Sequence, residues 1–235
     1  MKLDTLNVKG LTLIIGKQIL LNNVTFSIPK NSIVGFVGPN GAGKTTLIKC
    51  ICKLYPKYEG NIFVFGKLNE SKEFIKIGYV PEKENFPKKK VIDFLTFLSK
   101  IRSVPKDAFI SNLSKYTQLF DCENLLKRNL NTLSSGQKKK IMIIQALIHN
   151  PELLIMDEPT ENMDPDSRII FYQIIKELHK QGKTIFISSH QLDEIKKYIT
   201  YLIILRNGQI LFNKETKTKT DLFKLYKSIV KVSTQ

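Results

Sequence analysis

A glycine-rich stretch, GPNGAGKT at residues 38–45, has the residue types and spacing of a loop that binds phosphate. Its glycines let successive backbone N–H groups turn inward around phosphate oxygens, and a following helix adds positive charge at its N-terminus. We expect Lys44 to reach the β- and γ-phosphates of a nucleotide and the Thr45 hydroxyl to bind Mg²⁺. An ordinary glycine-rich turn is the alternative, but a strand-like IVGFV before the loop and a helix-like TTLIKCICKL after it favour a phosphate site. The predicted contacts are Gly38, Pro39, Asn40, Gly41, Ala42, Gly43, Lys44, Thr45 and Thr46.

Two apolar runs further along the chain end in polar side chains that could act on a phosphate. LLIMD ends at Asp157, and TIFIS is followed closely by His190. If both runs are strands, these side chains lie at the sheet edge beside the phosphate loop. Asp157 would hold Mg²⁺ through water, Glu158 would orient and deprotonate an attacking water, and His190 would hold both in line. The plainer alternatives are an acidic pair that caps a turn and a surface histidine.

A second stretch, LSSGQ at residues 133–137, also looks like an anion site at the start of a helix. Ser134 and the backbone N–H groups near Gly136 can donate to an anion, and the helix dipole favours one. Because one nucleotide needs only one such loop, the second indicates a nucleotide bound by another molecule. Two copies packed head-to-tail about a two-fold axis would each close the other's site. The alternative is a pair of serines that caps a solvated helix.

These motifs must be positioned by particular elements. Strand patterns occupy residues 3–37 and return from Leu153, whereas residues 87–149 have helical spacing and no strand pattern. Apolar strands alternating with helices predict a mostly parallel sheet covered on both faces. Asn207–Gly208 predicts a tight hairpin. We therefore predict an α/β fold, a single domain over residues 1–235 with a helical subdomain inserted at 87–149.

The bulk composition limits the classes of function. Of 235 residues 42% are hydrophobic, which suits one domain with a buried core. No apolar run reaches the length of about 18 residues that a membrane span needs, and we see no secretory signal. The net charge of +16 comes from 33 lysines and only four arginines. Since arginine is expected where bases or phosphates are gripped bidentately, we predict no nucleic-acid partner; a compositional bias and weak attraction to anionic lipid stay open.

The chain has three cysteines, Cys50, Cys52 and Cys122. Few cysteines in an odd number argue against a disulfide framework and fit a reduced cytosolic setting. We interpret Cys50 and Cys52, one residue apart in an apolar stretch, as packed core thiols rather than as a metal site.

In this order and spacing, GPNGAGKT, LSSGQ, LLIMDEP, the Asp164–Pro165 pair and SSH resemble the ATP-binding subunit of ABC transporters, over residues 3–213. The resemblance implies a P-loop NTPase, RecA-like core with an antiparallel β subdomain and an inserted helical subdomain. It also implies Mg²⁺-dependent ATP hydrolysis in a head-to-tail dimer that docks beneath separate integral membrane subunits, peripherally at the cytoplasmic face of the membrane. Asp164 would belong to the loop that signals across the dimer. The residues that would reach the nucleotide across the dimer are Ser134, Ser135, Gly136 and Gln137.

Four positions depart from the family's usual pattern. Ile15 stands where an aromatic residue stacks on adenine, which implies a weaker aliphatic contact. Glu82 replaces the usual lid glutamine; its carboxylate can still bind Mg²⁺ or water, and this variant resembles exporters of the class that includes peptide and bacteriocin-immunity systems. Glu161 stands where a small residue is common, which puts signalling across the dimer in doubt. Ser135 stands where glycine is usual and either adds a donor or crowds the γ-phosphate.

Three functions follow from these patterns. The first is the energising subunit of an exporter with separate membrane subunits. The second is a soluble ATPase of the same superfamily, for example an iron–sulfur assembly subunit. The third is a nucleotide-dependent module without catalysis, which is disfavoured because Lys44, Asp157, Glu158 and His190 are all present.

Overall fold

The computed structural model describes residues 4–69, 76–83, 85–161 and 163–216, together with positions 224, 226, 228 and 229. Most of the lysine-rich C-terminal segment therefore lies outside the described residues. The strands are β1 (Asp4–Ile15), β2 (Gln18–Pro29), β3 (Ile33–Val37), β4 (Glu59–Val64), β5 (Lys67–Leu68), β6 (Ile77–Val80), β7 (Leu153–Met156), β8 (Thr184–Ser189), β9 (Tyr201–Arg206) and β10 (Gln209–Glu215). The α-helices are α1 (Lys44–Ile51), α2 (Val91–Ile101), α3 (Lys106–Leu119), α4 (Ser135–Leu147), α5 (Pro165–Lys180) and α6 (Leu192–Ile195).

Two sheets form the framework. The larger has the strand order β10-β9-β3-β8-β7-β6, in which β9, β3, β8, β7 and β6 are parallel and β10 is antiparallel at one edge. The smaller sheet has the order β2-β1-β4-β5 and is antiparallel. Together they confirm the predicted α/β class, with a mostly parallel core and a separate antiparallel β subdomain.

Strand β3 shows why the central strands read as continuous apolar runs. All five of its residues are buried. Val34 and Phe36 pack into one core cluster, with Leu47 of α1, whereas Ile33 and Val37 pack into the other. Side chains alternate between the two faces of a strand, so a strand covered on both faces needs apolar residues at every position.

Three helices, α2 to α4, lie between β6 and β7, and the described part of residues 85–149 contains no strand. Helix α4 packs closely on β6: a Cβ on Gly78 would meet the carbonyl oxygen of Ala146 at 2.3 Å. Gln145 Nε2 also donates to the carbonyl oxygen of Tyr79 at 2.8 Å. The limits 87–149 of a helical subdomain stay a prediction.

Two local expectations are met, at the Asn207–Gly208 turn and at the three cysteines. Asn207 and Gly208 take positive φ angles of 47° and 72° between the antiparallel strands β9 and β10, which confirms the hairpin. Helix α1 is shorter than its apolar spacing predicts, because Lys53 adopts a left-handed φ of 55°. Cys50, Cys52 and Cys122 are buried free thiols, the first two in one core cluster and Cys122 in the other. None of the described helices combines the length and apolar character needed to cross a membrane.

Candidate functional site

The register of the parallel strands brings the predicted side chains to one edge of the sheet. Val37, the last residue of β3, lies opposite Ser189, and Met156, the last residue of β7, lies opposite Ile187. Val80, the last residue of β6, pairs with Met156 in turn. The segments that follow these strand ends, which carry the phosphate loop, Asp157, His190 and Glu82, therefore leave the sheet side by side.

The loop after β3 turns back sharply into α1. Gly41 and Gly43 have φ angles of 77° and 103°, in the left-handed region that favours glycine. A Cβ on Gly38 would meet the carbonyl oxygen of Leu205 at 2.3 Å, so only glycine fits there. Residues 40–46 line an open cavity of about 590 Å³ at the N-terminus of α1. This is the geometry in which backbone N–H groups and a helix dipole receive phosphate.

Ile15 is not among the described residues that line this cavity. It ends β1, pairs with Gln18 across the hairpin, and is 49% exposed. The cavity is lined instead by Gln18 and Leu20 of β2. Sequence reasoning missed both, because the hairpin register decides which β2 side chains face the loop. A contact between Ile15 and adenine stays a prediction.

Lys44, Glu158 and His190 come together on the wall of the cavity. Lys44 is buried, and its Nζ donates to the carbonyl oxygen of Gly38 at 2.7 Å and of Pro39 at 3.3 Å. It also lies 3.4 Å from Glu158 Oε1. His190 Nδ1 lies 3.1 Å from Glu158 Oε2. The carboxylate is therefore held between a cation that can bind phosphate and an imidazole, as a base that acts next to a phosphate requires.

The residues predicted to hold Mg²⁺ also converge. Thr45 Oγ1 lies 3.5 Å from Glu82 Oε2, and Asp157 follows β7 beside them. Ser188 Oγ donates to Asp157 Oδ1 at 2.6 Å and accepts a hydrogen bond from the Glu158 backbone N–H at 2.9 Å. Asp157 Oδ2 is buried and accepts no hydrogen bond within 3.5 Å from the described residues.

This chemistry fits a hard divalent cation. Burial raises the pKa of the Asp157 carboxyl, the neighbouring Ser188 and Thr45 hydroxyls oppose that rise, and the charges of Glu82 and Glu158 add to it. A cation at Asp157 would offset both the burial and the repulsion between carboxylates. The described residues contain no cluster of three or more His, Cys, Asp or Glu suited to a metal. A Mg²⁺ ion here would therefore rest on two carboxylates, a hydroxyl, phosphate oxygens and water, which is its usual surroundings beside a nucleotide.

The LSSGQ stretch lies elsewhere in the chain. Ser134 caps α4 in a capping box: its Oγ accepts from the Gln137 N–H at 3.3 Å, and Gln137 Oε1 accepts from the Ser134 N–H at 3.1 Å. Ser134 and Ser135 are exposed, and a Cβ on Gly136 would meet no atom within 4 Å. None of residues 134–137 lines the phosphate-loop cavity among the described residues. The serine therefore caps the helix, as the alternative interpretation predicted, and Ser134 and Ser135 remain exposed.

Asp164 caps α5. Its two carboxylate oxygens accept from the Ser167 N–H at 2.9 Å and from Ser167 Oγ at 2.7 Å, and these hydrogen bonds lower its pKa. Glu161 faces the cavity that holds the phosphate loop. The loop between β7 and α5 therefore runs from Glu158 to an exposed, charged helix cap.

Known proteins resemble this chain in sequence and in fold. The sequence profile of the family described as ABC transporter matches residues 21–161. A putative ABC transporter ATP-binding protein of Mycoplasma pneumoniae is 39% identical over 86% of this chain, and the chain spans 63% of that relative's length. The zinc uptake system ATP-binding protein ZurA of Listeria monocytogenes is 33% identical, over 84% of this chain and 80% of that protein.

The lantibiotic transport ATP-binding protein SrtF of Streptococcus pyogenes is 32% identical over 94% of this chain and 95% of that protein. A solved structure of an ATP binding subunit of an ABC transporter has a TM-score of 0.88 and 26% identity, covering 96% of this chain and 99% of that one. The fold is therefore shared over nearly the whole chain.

Ser188 gives a test of this geometry, because its hydroxyl joins Asp157 to the Glu158 backbone. We expect Ser188→Ala to lower the ATPase kcat by about tenfold, the loss of roughly one buried hydrogen bond to a charged group. Steady-state ATPase assays of the parent and the variant measure the change in kcat. Ser99→Ala is the matched control, since Ser99 is also buried but donates to the Thr96 carbonyl within α2. Equal losses in the two variants would mean that Ser188 contributes only to stability.

Proposed function

The chain belongs to the ABC transporter family, and from this premise we propose that it is the ATP-hydrolysing subunit of a transporter whose substrate pathway lies in separate integral membrane subunits. ATP-binding domains of this family are ATPases coupled to transport. The observation that carries the proposal is that Glu158 contacts both Lys44, at 3.4 Å, and His190, at 3.1 Å, on the wall of one cavity. A binding module without catalysis has no need of a carboxylate held in that position.

We propose that ATP places its phosphates in the loop formed by residues 38–46. The Lys44 ammonium, which now donates to loop carbonyls and faces Glu158, would turn to the β- and γ-phosphates. The residues that would hold Mg²⁺ are Thr45, Asp157 and Glu82. When bound there, Mg²⁺ neutralises charge on the phosphate oxygens.

Hydrolysis would then use Glu158 as general base. A water oxygen attacks the γ-phosphorus, the bond from that phosphorus to the bridging oxygen of ADP breaks, and the water's proton passes to the Glu158 carboxylate. His190, 3.1 Å from Glu158, orients the carboxylate and can donate to the γ-phosphate. The products are ADP and inorganic phosphate. The Ser188 bridge supports the alignment by holding the Glu158 backbone.

Two copies of the chain, or this chain and a similar subunit, would close the sites head-to-tail. The support is that residues 134–137 are apart from the chain's own cavity while Ser134, Ser135 and the open face of Gly136 are accessible. At the N-terminus of α4 they would donate to the γ-phosphate bound by the other subunit. Asp164, exposed at the start of α5, would signal between the subunits. Loss of the γ-phosphate would then release the pair.

We propose export as the direction of transport, with the subunit peripheral at the cytoplasmic face of the membrane. The Glu82 variant supports this, as does the nearly end-to-end match with a lantibiotic transport protein. A relative in a zinc uptake system matches over a smaller share of both chains. A soluble role such as iron–sulfur assembly is the alternative that an experiment must separate.

The membrane subunits would dock at a groove beside Glu82. This groove, of about 690 Å³, is bounded by Leu54 and by Phe86, Phe94 and Leu98 around α2. The neighbouring α2 side chains Phe97 and Ile101 are 52% and 63% exposed. Exposed apolar side chains around a groove are typical of a protein interface.

Replacing the general base tests catalysis. We expect Glu158→Gln to reduce the rate of phosphate release at least about 100-fold and to trap an ATP-bound dimer, because the amide cannot accept the proton. Phosphate release and size-exclusion chromatography with ATP measure the two effects. Glu161→Gln, which removes a carboxylate from the same cavity, should retain most of the rate. Turnover at the parent rate in Glu158→Gln would exclude the role of base.

Mixed dimers test which subunit the LSSGQ stretch serves. A dimer of one Ser134→Arg chain and one Lys44→Ala chain should retain one intact site and about half the parent activity, because Ser134 would act on the other chain's nucleotide. A dimer of one parent chain and one chain with both substitutions should be inactive. The ATPase rates of affinity-separated mixed dimers measure this. If Ser134 served its own chain, the two results would be exchanged.

Purification from its native membrane tests the partner. We expect the chain to co-purify with integral membrane subunits, and Phe97→Asp in the apolar surface of α2 to lower their recovery at least about tenfold, since a buried charge is costly. Quantitative mass spectrometry measures the recovery. Asp107→Lys at the exposed start of α3 is the control. Recovery without any integral subunit would favour the soluble alternative.

A further inference from the structure

We infer that Arg168 is a positioning residue for ATP hydrolysis, which holds the loop between β7 and α5 in the conformation that aims Glu158; this inference rests on the proposed function. Arg168 lies in the first turn of α5 and makes two contacts. Its Nε donates to the carbonyl oxygen of Met163 at 3.0 Å, and its Nη1 pairs with Glu194 Oε1. The planar guanidinium fixes both directions at once.

Glu194 extends this connection to a second point of the same loop. It lies in α6, and its other carboxylate oxygen accepts from Thr160 Oγ1 at 3.2 Å. Thr160 is 6% exposed and follows Glu158 by two residues. The Arg168–Glu194 pair therefore holds the loop at Thr160 and at Met163. It joins three segments: the loop after β7, the start of α5, and α6.

The same segments carry the catalytic pair. Helix α6 begins two residues after His190, and Gln191 Nε2 lies 3.1 Å from His190 Nε2. The two connections line one cavity of about 250 Å³, to which Glu158 and His190 contribute together with Thr160, Arg168 and Glu194. The loop after β7 and the segment after β8 are thus joined twice, once through the catalytic pair and once through Arg168.

The backbone at Glu158 explains why a second connection matters. Its φ is +46°, in the left-handed region that non-glycine residues rarely adopt. A residue in that region keeps its conformation only when the surrounding structure holds it. The Ser188 hydroxyl restrains the N–H side of Glu158, and the contacts of Arg168 and Glu194 restrain the chain that follows it. Loss of the Arg168 and Glu194 contacts would let the Glu158 carboxylate move out of contact with His190.

A neighbouring ion pair offers a matched control. Lys196 Nζ contacts Asp193 Oδ1 at 2.5 Å within the same short helix segment as Glu194, and both side chains are more than a third exposed. Asp193→Asn breaks this pair without touching the loop after β7 and should leave the ATPase activity unchanged.

The experiment compares Thr160→Val and Arg168→Gln with the parent chain. We expect each to lower kcat about tenfold while KM for ATP changes less than about twofold, because the Lys44 contacts are unaffected. Arg168→Lys should have a kcat close to that of Arg168→Gln, since an ammonium cannot make both contacts in the fixed geometry. Thermal unfolding of each variant shows whether it is folded, and Thr160→Val, which is nearly isosteric, is the variant least disturbing to the core.

A double-mutant cycle with His190→Ala separates positioning from stability. If Arg168 acts through the alignment of Glu158 with His190, Thr160→Val should lower kcat less than about twofold in a His190→Ala background. The same tenfold loss with and without His190 would overturn the inference, as would a loss matched by Asp193→Asn. If His190→Ala and Glu158→Gln themselves leave kcat at the parent value, the proposed function fails instead. The two failures are therefore distinguishable.

Discussion

The parallel pairing of β3, β8, β7 and β6 is the constraint on which the rest of the structure depends. The backbone hydrogen bonds of these strands set Val37 beside Ser189 and Met156 beside both Ile187 and Val80. The segments that follow these four strands leave the sheet at one edge. There, backbone groups are no longer paired between strands and can bind other groups. Segments that are more than a hundred residues apart in the chain become one site. The apolar side chains on both sheet faces keep that register, because a one-residue slip would reverse every face.

Charge is distributed unevenly across this edge. The carboxylates of Glu82, Asp157 and Glu158 lie close together, and Lys44 Nζ is 3.4 Å from Glu158 Oε1. A divalent cation would offset the repulsion between the carboxylates, and phosphate groups would pair with Lys44. Burial of Asp157 would strengthen its attraction to that cation because its surroundings are less polar than water. These charges therefore suit the metal–nucleotide pair that we propose, in which a cation faces the carboxylates and phosphate faces Lys44.

Helix α4 links the chain's own site to the stretch proposed to serve the other subunit. Its N-terminus carries residues 134–137, and its body packs on β6 against Gly78. One turn into the helix, the buried Lys139 donates from Nζ to the carbonyl oxygen of Glu82 at 3.2 Å. The Lys-rich start of α4 is thus not simply a solvated face. This hydrogen bond connects the helix that begins at residues 134–137 directly to Glu82.

The sequence by itself determined the chemistry and the class of fold. The phosphate loop, the acidic strand end, the helical spacing of residues 87–149 and the Asn207–Gly208 turn all depend on local patterns, which neighbouring residues alone can specify. Only the tertiary structure decided what depends on register and packing: that Gln18 and Leu20 rather than Ile15 line the cavity, that Ser188 bridges two acidic residues, and that Arg168 reaches Glu194. Those contacts join residues distant in the chain, and no local pattern records which of many polar side chains will meet once the strands align.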